Sequence, residues 1–100
     1  MKSKGVKYEF SNCIWKYPGP AAWHFISLPE KLTKEIRQHF KHEEKSWGRL
    51  KVFAQIGQTE WLTAIWFDSK LNTYLLPIKL AIRKQELIEN GKKIKVIVWI

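Results

Sequence analysis

The chain has 100 residues, 45% of them hydrophobic, with 18 Lys and Arg against 9 Asp and Glu and a formal net charge of +9. That length predicts one domain, residues 1–100, and the apolar fraction excludes a disordered polyelectrolyte. A lone cysteine, Cys13, excludes an internal disulfide and a cysteine-based zinc site, and points to a reducing, cytoplasmic setting.

The N-terminus shows no apolar run of the signal-peptide kind. The apolar stretch Ile94 to Ile100 is too short to span a bilayer and is broken by Lys95. A soluble protein with no membrane partner is expected. Its basic balance favours polyanions: nucleic acid, a small anion or an acidic partner. No single tract is a basic block, so the charge also suits a solubilising surface.

Taken in order, Val6, Tyr8, Phe10 and Ile14 fall on one face of a first strand, with Lys7, Glu9 and Ser11 on the other. Tyr17-Pro18-Gly19-Pro20 forces a turn. Ala22 to Leu28 reads as a strand with little alternation, which suits one covered on both faces. Pro29 opens an amphipathic helix reaching about Glu44, with Leu28, Leu32, Ile36 and Phe40 four apart and a basic outer face. Glu43 and Glu44 oppose the macrodipole at its end, where fraying is expected.

Alternation resumes with Leu50, Val52, Ala54 and Ile56. Gly57 to Glu60 connects this strand to Trp61–Phe67, in which Leu62, Ala64 and Trp66 face one way and Trp61, Thr63, Ile65 and Phe67 the other. After a turn at Asp68–Asn72, Thr73 to Ile78 is a further strand, its Pro77 suiting an edge or bulge. Lys79 to Asn90 reads as a second helix with Leu80, Leu87 and Ile88 inward and Gly91 as its C-cap. Lys92 to Ile100 is the last strand. The order β-β-α-β-β-β-α-β predicts an α+β fold. Its six mainly antiparallel strands are expected to curl into a small closed or partly open β-barrel, which hides edges and buries aromatic faces. Any strand edge left unpaired would support a dimer, but none can be placed from the sequence.

Three stretches together resemble a known family: Trp61-Leu-Thr-Ala-Ile-Trp-Phe-Asp-Ser-Lys70, Thr73-Tyr-Leu-Leu-Pro-Ile-Lys79, and Ile82-Arg83-Lys84 followed by Gly91. Trp23 to Pro29 adds an aromatic strand ending in Leu-Pro. The family is a small bacterial domain-of-unknown-function family, numbered nineteen-oh-five, and nearly the whole chain is similar to it. The resemblance implies a small barrel related to split barrels, sometimes fused to a bacteriocin-resistance-type module, with no assigned activity. Members usually carry Gly-Asp before the last strand, whereas here Gly91 precedes Lys92.

No catalytic constellation emerges, and a non-enzyme without cofactor or metal is expected. His39 and His42 are three apart, a spacing able to hold a metal with Glu35 or Glu43, but no zinc motif surrounds them and they read as surface histidines. His24 reads as a satisfied boundary residue and Cys13 as a buried, inert thiol rather than a thiolate pair. No glycine-rich phosphate loop is present.

Two binding hypotheses follow. The leading one places a small anionic ligand or peptide at Trp61, Tyr74, Lys79, Arg83 and Lys84, where the Arg83 fork suits a carboxylate or phosphate. Against it, Lys79 and Arg83 also suit a structural role, bonding nearby carbonyls or acids such as Asp68 and Glu86. The alternative is single-stranded nucleic acid bound through the basic first helix and the strand after it, using Lys31, Lys34, Arg37, Lys41, Lys45, Arg49 and Lys51. Counting against it, most tryptophans fall at positions expected to face inward.

Overall fold

The computed structural model describes residues 5–100. These form six strands and two helices: β1 (Lys7–Lys16), β2 (His24–Ser27), α1 (Glu30–Phe40), β3 (Arg49–Ile56), β4 (Thr59–Asp68), β5 (Thr73–Pro77), α2 (Leu80–Gln85) and β6 (Lys93–Trp99). The strands close into a barrel in the order β1-β2-β5-β4-β3-β6, β6 returning to β1, with every pair antiparallel.

The two-residue rhythm sets what faces in. Tyr8, Phe10 and Ile14 of β1, Leu50, Val52, Ala54 and Ile56 of β3, and Ile94, Val96 and Val98 of β6 all enter one buried core. Their neighbours Lys7, Glu9, Lys51, Lys93 and Lys95 face solvent. Slipping any strand by one residue would exchange these sets, so burial fixes the register. Each such aliphatic side chain contributes roughly 1.5–3 kcal/mol.

In β2, Ile26 enters the barrel while Phe25 points outward, yet Phe25 is only 8% exposed. Trp23 stacks on it at 5.9 Å, and Trp15 and Tyr17 flank it at 5.5 and 6.0 Å. An outer aromatic layer, rather than a helix, explains the missing alternation. Pro77 lies at no edge: it is the last residue of β5, opposite Phe25 in a closed ring.

The helices close opposite ends of the barrel. α1 inserts Thr33 and Ile36, and the Thr33 and Thr73 hydroxyls meet at 2.9 Å where β5 begins. It ends at Phe40, short of the expected Glu44, and gives way to a 3-10 turn at Lys41–Glu43. α2 follows the other end of β5 and is six residues long, shorter than expected. Leu80 and Leu87 are exposed, so of the three inward residues expected only Ile88 is buried. Leu87, with a φ of 55°, breaks the helix well before Gly91. Glu86 instead ties this segment down, accepting a hydrogen bond from the Thr59 hydroxyl at 2.5 Å beside Gly57. Gly57 has a φ of 57°, and a Cβ there would lie 2.1 Å from the Glu86 carboxylate and push it off its Thr59 bond, so the two-residue β3–β4 turn favours glycine. No helix among the described residues is long and apolar enough to cross a membrane.

Candidate functional site

Tyr74, Ile26, Ile65, Leu76, Val96 and Val98 pack in the barrel core with no exposed surface, joined by Ile36 of α1. Recesses open on the outer wall formed by β2, β5, β4 and β3, where Trp23 and Trp66 are 48% and 38% exposed with ring centroids 6.3 Å apart.

An open groove of about 830 Å³ runs past these rings, lined by Lys45, Arg49, Lys51 and Lys79. Two further recesses share Trp23 with it. One, of about 370 Å³, reaches His24 and Arg83; the other, of about 400 Å³, lies over Leu75 between Trp23, Trp66 and Trp47. The result is one surface with flat indole walls and a basic rim. Among the described residues none of the four cations forms an ion pair. Two carboxylates share the groove: Glu43 lies 3.5 Å from His42, which also lines it, and Glu44 accepts the Tyr74 hydroxyl.

The local sequence explains the geometry. Arg49 and Lys51 alternate with buried Leu50 and Val52, so β3 directs both cations outward. Trp66 stands opposite Leu75 and Arg49 in the register, on the outer face of β4. Between α1 and β3 the chain makes a tight turn at Ser46–Gly48, its base closed by the Lys45 N–H donating to the Arg49 carbonyl at 2.7 Å. Gly48 packs so closely on Phe67 that a Cβ would sit 3.1 Å from the Phe67 Cβ.

The candidate residues read from the sequence separate in space. Lys79 and Arg83 meet at the recess beside His24, but Arg83 Nε donates to the Ile78 carbonyl at 3.2 Å and so also braces the turn before α2. Tyr74 is wholly buried, Trp61 lies on the inner face with its indole N–H buried, and Lys84 projects from α2 outside the recess. Of the basic set, Lys45, Arg49 and Lys51 line the groove. Arg37 lies 3.7 Å above the Phe67 ring, Lys34 approaches Glu30 at 3.8 Å, and Lys31 and Lys41 are exposed away from the groove.

Cys13 is exposed, not buried, because it falls on the outer face of β1. The recess beside His24 holds neither Cys13 nor a carboxylate. No group of three or more metal-ligating side chains gathers among the described residues. The expectation that tryptophans face inward fails for Trp23, Trp47 and Trp66. The alternation that put Trp66 with Leu62 and Ala64 was the available signal for one of them.

Residues 10–98 match the model of DUF1905, a domain of unknown function. The chain belongs to this family. No curated protein matches it. In this DUF1905 domain the Gly91-Lys92 turn needs no acid, because Gly91 N–H donates to the Ile14 carbonyl at 2.9 Å and Ile14 N–H to the Lys92 carbonyl at 3.1 Å.

Proposed function

We propose that this DUF1905 domain is a cytoplasmic binding module, not an enzyme, that holds single-stranded nucleic acid on the outside of its barrel. The observation that carries the reading is the convergence of exposed Trp23 and Trp66 with Lys45, Arg49, Lys51 and Lys79 along one open groove. Unpaired bases offer π-faces to indole rings, and the backbone offers a phosphate at each step to the cations. A duplex hides its bases and gains only the charge contacts. The first-helix site gives way to the β3–β4 wall in this reading, because α1 presents its cations without exposed aromatic rings.

The small-anion reading becomes one end of the same surface. Lys79 and Arg83 beside Trp23 suit a phosphate, and the Arg83 fork retains donors beyond the one given to Ile78.

The test is a fluorescence-anisotropy titration of labelled oligothymidylate and oligouridylate against salt. Binding should weaken with salt at a slope of about −0.7 per phosphate contact, or about −2 to −3 for the four cations. Failure of either oligomer to bind at low salt removes the reading.

A further inference from the structure

We infer that Trp47 is a stacking finger carried on a fixed turn that, with Trp66, clamps one unpaired base at the end of the groove. This rests on the groove reading above and adds the position at which a base is gripped.

Trp47 is 90% exposed, giving almost its whole indole to water. Its φ is 67°, in the left-handed region that bulky L residues enter only when their surroundings impose it. The surroundings do impose it. Lys45 N–H donates to the Arg49 carbonyl at 2.7 Å, Gly48 N–H donates to the Lys45 carbonyl at 3.1 Å, and Gly48 is pressed against Phe67. Glu44, two residues before this turn, is held by the Tyr74 hydroxyl. None of these restraints uses the indole, and glycine or asparagine would satisfy the backbone with less strain. The ring is displayed by the turn without stabilising it.

What the ring faces gives it a use. A recess of about 220 Å³ is lined by Trp47 and Trp66 together with Lys45, Ser46 and Arg49. A nucleobase entering it can stack on these two indoles, while Lys45 and Arg49 line the same recess and suit the flanking phosphates of the strand. Because the turn is tied at its base, the backbone that carries the ring is set before binding, and the indole's own torsions are what binding must fix.

The experiment compares wild type with Trp47→Ala, Trp47→Phe and Trp47→Asn, using oligothymidylate and an abasic sugar–phosphate oligomer of equal length. Trp47→Ala should weaken oligothymidylate binding about tenfold, leave the salt slope unchanged and leave the abasic oligomer unaffected. Trp47→Phe should restore most of the affinity, and Trp47→Asn should raise the melting temperature while losing it. If wild type binds oligothymidylate and Trp47→Ala binds within twofold of it, the clamp is wrong and the groove stands. Equal weakening toward the abasic oligomer, or loss of the fold in Trp47→Ala, also overturns the clamp, since the ring would then be supporting the turn. If wild type binds neither oligomer, the groove reading falls and the clamp with it.

Discussion

The Tyr74 hydroxyl donates a hydrogen bond to the Glu44 carboxylate, joining the buried start of β5 to the chain leaving α1. The Tyr74 ring meets Phe67 edge-on at 5.6 Å, and Arg37 covers Phe67 from outside. One end of the barrel is thereby tied to the turn that carries the groove's outer wall. Tyr74→Phe removes the donor and leaves a partly buried carboxylate without it. Unfolding in urea should show a loss of about 1–3 kcal/mol, and oligonucleotide affinity should fall although Tyr74 does not line the groove.

The same phenol makes stability fall at high pH. Burial, then the hydrogen bond and charge of Glu44, hold the Tyr74 proton on well above the usual value of 10.0. Tyr8 is raised in the same direction by burial and by Glu35. Above pH 10 the unfolded chain releases these protons while the folded chain keeps them, so the unfolded state binds fewer protons and alkali favours it. The contribution is complete below pH 10 and declines above it. Urea midpoints between pH 8 and 11.5 should fall in wild type and fall less steeply in Tyr74→Phe; equal slopes would contradict the assignment.

Thr73 knits α1 to the barrel. Its hydroxyl donates to the Leu28 carbonyl at 2.6 Å and lies 2.9 Å from the Thr33 hydroxyl, both threonines being buried. Thr73→Val keeps the shape but strands these polar groups away from water. A loss of about 1–3 kcal/mol is expected in chemical unfolding, with no change in oligonucleotide salt slope.

Charge removal separates the β3 wall from the first helix. Arg49→Gln and Lys51→Gln should each reduce the salt slope by about 0.7 and weaken binding to every single-stranded sequence alike. Lys31→Gln and Lys34→Gln should leave both unchanged, because neither lies along the groove. A larger effect from the helix pair would return the site to α1.

The barrel was legible because burial imposes a two-residue rhythm on β1, β3 and β6, and because Pro29 and the four-residue spacing of Leu32, Ile36 and Phe40 announce a helix. The end of α2 was not legible: Leu80 and Leu87 follow helical spacing, but the Glu86–Thr59 bond and the positive φ of Leu87 redirect the chain first. The site was half legible. Lys45, Arg49 and Lys51 were visible as cations. Of their aromatic partners Trp66 was signalled by its alternation with Leu62 and Ala64, but Trp23 was not, because a closed barrel has two apolar faces wherever an outer layer such as Trp15, Tyr17 and Trp23 covers Phe25. Only the closure of β2 on β5 and of β5 on β4 brings Trp23 beside Trp66.

The six tryptophans allow the central claim to be tested in one titration. Each indole N–H gives its own nitrogen–proton NMR signal, and oligothymidylate can be added stepwise to the labelled protein. The signals of Trp23, Trp47 and Trp66 should move together and saturate. Trp61, buried on the inner face, and Trp99, on β6 beside Phe53 and outside the groove lining, should stay in place. Movement confined to Trp61 or Trp99, or six unmoved signals at low salt, would contradict a nucleic-acid groove on the β2–β5–β4–β3 wall.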